Sequence, residues 1–127
     1  MNRSSNPKKH YASAVYEVNA VSAVDLGTVA THIPKQTSII PDNAIITEVV
    51  IETLTAFVGG AHTLTVNAGG VDITAATSIA NRSQTVPYTT VLPKKATGIG
   101  AIKVTVATAV ITSGKANIIV GYYMSGE

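Results

Sequence analysis

From about residue 45 to the end of the chain, apolar and polar residues alternate in short runs that stop at Gly, Asn, Pro or Ser. Alternate residues of a strand point to opposite faces, so this is the pattern of half-buried antiparallel sheet. The clearest segment is 45–57, where Ile45, Val49, Ile51 and Phe57 are expected inward, with Glu48, Val50 and Glu52 on the other side. Gly59-Gly60 predicts a turn, and 62–67 then returns as its hairpin partner with Leu64 and Val66 inward. Gly69-Gly70 ends that strand. Residues 71–81 fit either a short strand or one helical turn over Thr74–Ala80 capped by Asp72. Pro87 puts the piece 86–92 at a sheet edge. In 101–110, Ile102, Val104, Val106 and Val110 are expected inward, with Lys103 and Thr105 outward. Thr112-Ser113-Gly114-Lys115 reads as a turn into a last strand, 116–123, with Ile118, Val120 and Tyr122 on one face and Ile119 and Tyr123 on the other. A strand apolar on both faces is central or lies at a subunit contact.

The first half is less regular. Residues 11–32 are rich in Val and Ala and predict one or two extended segments with a break near Asp25-Leu26-Gly27; the valines disfavour a helix over 12–24. Pro34 and Pro41 bracket a loop. Residues 1–10 are polar, basic and interrupted by Pro7. The expectation is an extended N-terminal arm over 1–20, ordered by a neighbouring subunit, and a single sandwich domain over 21–127. Short strands with turn signals about every ten residues, and no βαβ spacing, predict an all-β, antiparallel β-sandwich of jelly-roll type, with an immunoglobulin-like sandwich as the alternative.

Composition narrows the function. Charged residues are 13% of the 127 and hydrophobic ones 46%, which is about half the usual charge. So little charge on the surface implies that part of it faces another chain. The net charge of +2 is too small to argue for nucleic acid. There is no cysteine, hence no disulfide and no thiolate chemistry. No apolar run is long enough for a membrane span, and the start lacks a signal-peptide core, so synthesis in a cytoplasm is expected. The sequons at Asn2 and Asn81 are read as chance.

No catalytic or cofactor motif emerges. Glu48 and Glu52 share a strand face about 13 Å apart, beyond the roughly 5–9.5 Å of paired glycosidase carboxylates. His10, His32 and His62 show no metal-ligand spacing. The Gly-rich pieces 59–60, 69–70 and 98–100 lack the Lys-Ser/Thr and the helix of a phosphate loop, and no nucleophile elbow occurs. Neither a cofactor nor a metal is expected. Tyr122-Tyr123 could form a stacking surface, but a sugar site would call for Trp, and the chain has none.

The order of segments is distinctive. Thr31-His32-Ile33-Pro34-Lys35 leads to Ile45-Ile46-Thr47-Glu48-Val49-Val50-Ile51-Glu52-Thr53, then Ala56-Phe57-Val58-Gly59-Gly60 and Leu64-Thr65-Val66. Ile102-Lys103-Val104-Thr105-Val106, Thr112-Ser113-Gly114-Lys115-Ala116 and Ile118-Ile119-Val120-Gly121-Tyr122-Tyr123 close the series. This order resembles small β-sandwich proteins of tailed-phage virions, which occur as head decoration proteins, head fibres and tail-fibre modules; a Gly-Lys turn, a strand and a terminal Tyr typify their ending. The resemblance spans about residues 28–123. It implies a non-enzymatic, usually trimeric structural protein of the virion. The expected role is a decoration protein on the outer surface of a phage head, binding itself and the major capsid protein, with no nucleic-acid or membrane partner. A head-fibre or tail-fibre module, with carbohydrate binding as one option, is the alternative. Arg3, Lys8 and Lys9 would pair with capsid acids, and Tyr11, Val15 and Tyr16 would anchor the arm.

Overall fold

The structure, a computed structural model, describes residues 8–19, 25–74, 85–88 (backbone only) and 92–124. Every regular element among them is a strand. In chain order these are β1 (Lys9–Val18), β2 (Thr31–His32), β3 (Gln36–Thr37), β4 (Ile39–Ile40), β5 (Ala44–Gly59), β6 (Thr63–Ala68), β7 (Val71–Asp72), β8 (Thr85–Tyr88), β9 (Lys94–Lys95), β10 (Gly100–Ala101), β11 (Lys103–Ala107) and β12 (Ile111–Met124). Branched Val, Ile and Thr dominate them, and these side chains fit a pleated surface better than a helix. One sheet runs β3-β1-β12-β5-β8, with β9 also on β5. A second runs β2-β11-β6-β7, and β4 pairs with β10 alone. All pairings are antiparallel. The chain crosses repeatedly between the two larger sheets, so neighbours in sequence are often across the core from one another.

The two sheets bury their facing sides against each other. Ala12, Ala14, Tyr16 and Val18 of β1, Val49, Ile51 and Phe57 of β5, and Ala116, Ile118 and Val120 of β12 meet Leu64, Val66 and Ala68 of β6 and Val104 and Val106 of β11. A void of about 10 Å³ in this layer is lined by apolar residues, among them Tyr16, Phe57, Leu64 and Val104. That is at the limit for one water, and an apolar wall keeps such a space dry. The expected antiparallel sandwich is therefore what the chain forms, and ten of the eleven aliphatic and aromatic residues expected inward along 45–66, 102–106 and 118–120 are in its core.

Several local expectations are corrected. Ile45 is half-buried on the outer face, and Ile46 is in the core instead. The cause is a β-bulge: Gly121 opposes Glu48 but Tyr122 opposes Ile46, which leaves Thr47 as an extra residue on β5. One extra residue inverts the phase of a period-two pattern. Gly59-Gly60 does not close a hairpin. β6 pairs with β11, not with β5, and the glycines carry the chain from one sheet to the other. Val110 is 48% exposed and Ile111 takes the inward place, because a bend at Thr108, with φ of 76°, resets the alternation. The segment Thr112–Lys115 is not a turn but part of β12, with shifts of register around it. Gly114 has φ of 147°, and the Phe57 ring fills the space a side chain would need. Gly69-Gly70, with φ of 60° and 83°, does close a two-residue hairpin between Ala68 and Val71, the geometry of a type I′ turn. β8, which contains Pro87, ends its sheet as expected of an edge. Two-residue strands β3 and β4 stand where a loop was expected between Pro34 and Pro41.

The N-terminal boundary also moves. β1 pairs with β12 over its whole length, from Lys9 opposite Tyr123 to Val18 opposite Gly114. Residues 9–18 are thus a full strand of the larger sheet rather than an arm; residues 1–7 lie outside the described residues. Period two places Tyr16 with Ala14 and Val18 in the core, 1% exposed, so it cannot anchor a partner. Its ring stacks on Phe57 at 6.0 Å between centroids, and its hydroxyl donates to the Leu26 carbonyl at 2.7 Å. Asp25, at the expected break, is buried and finishes the free edge of β1. Its Oδ2 accepts from the Glu17 amide at 2.8 Å, its Oδ1 from the Lys35 amide at 2.9 Å, and its own amide donates to the Glu17 carbonyl at 2.8 Å.

Two outcomes follow. Asp25→Ala leaves two amides without their carboxylate and should lower the urea-unfolding free energy by about 2–3 kcal/mol; a change under about 0.5 kcal/mol would show that the carboxylate does not hold the edge. Burial, and secondarily the Asp25 charge, raise the Tyr16 phenol well above its ordinary pKa of 10.0. A folded-state pKa above the unfolded value means stability is complete below pH 10 and declines as pH rises beyond it. Tyr16→Phe should flatten that alkaline decline in a pH series of thermal melts, and an unchanged slope would refute the assignment.

Candidate assembly surface

The outward residues of β1, β12 and β5 form a flat array because directly paired residues share a face. Lys9 lies beside Tyr123, then Ile45, then Lys95. Tyr11 lies beside Gly121 and Glu48. Ser13 lies beside Ile119 and Val50, and Val15 beside Asn117 and Glu52. Gly121 shapes the centre: a Cβ there would meet Glu48 Cγ at 2.8 Å and Lys9 Cε at 2.9 Å. The Lys9–Glu48 ion pair occupies that space. The Lys9 ammonium also lies 5.8 Å from the Tyr11 ring centroid and 5.5 Å from that of Tyr123, within cation–π reach. The hydrogen bond to Glu48 outweighs desolvation and holds the ammonium charged to higher pH than an ordinary lysine. Asn117 donates to Glu52 at 3.0 Å. Both carboxylates are thus engaged within the sheet. Tyr11 is 62% exposed, and Val15, Val50 and Ile119 are half-buried.

Of the six residues expected to contact a capsid, Lys9, Tyr11 and Val15 come together here. Lys8 is exposed just before them. Tyr16 is withdrawn into the core, and Arg3 lies outside the described residues. Tyr123, Ile119, Gly121 and Lys95 were not expected in the array. The available signal was the last strand, apolar on both faces, whose second face is this one.

Catalytic or metal chemistry finds little to build on. Among the described residues no three His, Asp or Glu side chains gather around a common point. His10 stacks on Tyr122 at 5.3 Å, and His32 donates to the Thr28 carbonyl at 2.7 Å. His62 is fully buried, donating from Nδ1 to the Gly60 carbonyl at 3.0 Å with its edge toward Phe57. Among the described residues no helix is long and apolar enough to cross a membrane.

The Lys9–Glu48 arrangement predicts a particular coupling. Glu48→Gln and Gly121→Ala should each cost less than about 1 kcal/mol, since the pair is near the surface. The double variant should be no less stable than the worse single one, because both remove the same interaction. Full additivity in chemical denaturation would mean that Gly121 is not there to admit the pair.

No protein-family model and no curated protein matches this sequence. Solved structures do match in fold. A chain of the cyanophage Pam1 capsid asymmetric unit superposes with a TM-score of 0.64 at 19% identity, covering 98% of this chain and 90% of that one. A chain of the acid-stable capsid of Helicobacter pylori bacteriophage KHP30 gives 0.54 at 14%, covering 91% and 87%. A chain of the capsid of Ralstonia phage GP4 gives 0.54 at 16%, covering 100% and 92%. These similarities extend over nearly the whole of each chain, so this chain shares its fold with chains of phage capsid structures.

Proposed function

We propose that this protein is a capsid decoration protein: a non-enzymatic structural component, made in the host cytoplasm, that sits on the outer surface of a phage head as a homotrimer and braces neighbouring major capsid subunits. The observation that carries the reading is the near-complete overlap with chains of three phage capsid structures. The strand order supports a jelly-roll sandwich, with β1-β12-β5-β8 facing β2-β11-β6-β7. The outer face of the larger sheet is the surface proposed to lie on the shell. It offers Tyr11, Tyr123, Val15 and Ile119 as apolar contacts and Lys95 as a cation for capsid acids; Lys8, just before β1, and Arg3, outside the described residues, would add further cations. Aromatic side chains ringed by charges are the usual makeup of a contact centre and its rim. Each contact would be weak, and many copies on one particle would reinforce the shell together.

The test is to add purified protein to heads lacking their decoration. The wild type should bind and raise the temperature at which heads rupture. Tyr11→Ala combined with Lys95→Glu should weaken occupancy by at least about tenfold. Unchanged occupancy would remove this face from the mechanism, and wild-type protein that labels tails and never heads would replace the assignment with a tail or fibre role.

A further inference from the structure

The sandwich has two unlike ends. At one, Lys8, Lys9, Lys94 and Lys95 gather around the start of β5 and the end of β12, as the register of these strands requires. At the other, three segments lie side by side: 26–30 after Asp25, 58–61 between β5 and β6, and 107–112 between β11 and β12. None of the three contains a charged residue. Backbone contacts join them. The Ile111 amide donates to the Gly27 carbonyl at 2.8 Å, the Val106 amide to the Ala30 carbonyl at 2.9 Å, and Ile111 is paired with Gly59. The tip they form exposes Leu26 at 61%, Val29 at 53%, Val58 at 54% and Val110 at 48%, with Leu54 at 49% further back on β5. Together these residues expose roughly 450 Å², comparable with the largest apolar patch of a typical monomer, which is often functional.

We infer that this tip is where copies of the chain meet, with the tips of adjacent subunits packed around a common axis. This rests on the self-association in the proposed function and assigns it a surface. Two features favour a second copy over another occupant. The three described segments of the tip carry no charge, so a charged partner surface would be desolvated against them without compensation, whereas the same segments of a second copy are uncharged as well. Its area is about half of the ~800 Å² per partner typical of a stable two-body interface. That suits a contact repeated around a closed ring better than capture of a single separate partner. Gly59 and Gly60 leave the 58–61 segment low, so the flanking valines can approach those of a neighbour.

The experiment uses the full-length chain, measured by light scattering at micromolar concentration, with circular dichroism to verify folding. Wild type should be oligomeric, and the Val58→Glu, Val110→Glu pair should give a particle of the 13.1 kDa chain mass with an unchanged spectrum. Tyr11→Ala with Lys95→Glu, on the sheet face, should keep the oligomer. A milder variant guards against misfolding. Because the chain has no cysteine, Val110→Cys supplies a single thiol that should yield covalent dimers under mild oxidation, whereas Lys94→Cys at the opposite end should not. An oligomer that survives the two glutamates, a monomeric wild type, or equal cross-linking at both cysteines overturns the inference. Head binding that persists in a monomeric tip variant, at reduced strength, would leave the decoration role standing, whereas tip-dependent oligomers that never bind heads would leave the tip assignment standing alone.

Discussion

β12 has a strand on both sides for most of its length, and the rest of the molecule is organised by that fact. On one side it takes β1, at the beginning of the chain, and on the other β5, in the middle. The hydrogen-bond ladders at the centre of the larger sheet therefore join residues remote in sequence, from Ile111 with Gly59 on one side to Lys9 with Tyr123 on the other. Such pairings demand that long loops be closed before they return any stabilisation. The smaller sheet repeats the theme, with β11 between β2 and β6. A core built this way has few purely local parts. Tyr16, Phe57, Leu64 and Val104 come from four different strands and meet around one small void.

The irregularities in β5 and β12 let two long strands serve both a buried face and a shaped surface. The bulge at Thr47 turns Ile46 inward, frees Ile45 for the outer face and leaves the Thr47 hydroxyl buried without a partner. Gly114 yields its side-chain space to Phe57, and Gly121 yields its own to Lys9 and Glu48. In each case a small or extra residue lets a larger group from a neighbouring strand sit close to the backbone. Glu17 and Asp25 solve a related problem at the edge of β1, where a carboxylate stands in for a paired strand.

The scarcity of charge is distributed rather than uniform. Cations gather at one end, the described segments of the opposite tip have none, and Glu48 and Glu52 are matched within the outer face of the larger sheet. A low overall charge could be read from composition, but this partition could not, because it arises from which loops fall at which end.

Period-two alternation in the sequence identified an all-β sandwich and most of its core, since burial of one face writes itself directly into the order of residues. Leu64, Val66, Ile102, Val104, Val106, Ile118 and Val120 were identifiable for that reason, as was the break at Asp25. Alternation does not say which strand lies alongside, nor does it survive an inserted residue. The partner of β6, the inward turn of Ile46 in place of Ile45, the exposure of Val110 and the burial of Tyr16 were decided only by pairings between remote segments. The same holds for the Lys9–Tyr11–Tyr123 array and the uncharged tip. Each is assembled from residues that the chain keeps far apart and that only the antiparallel register of β1, β12, β5 and their connections brings together.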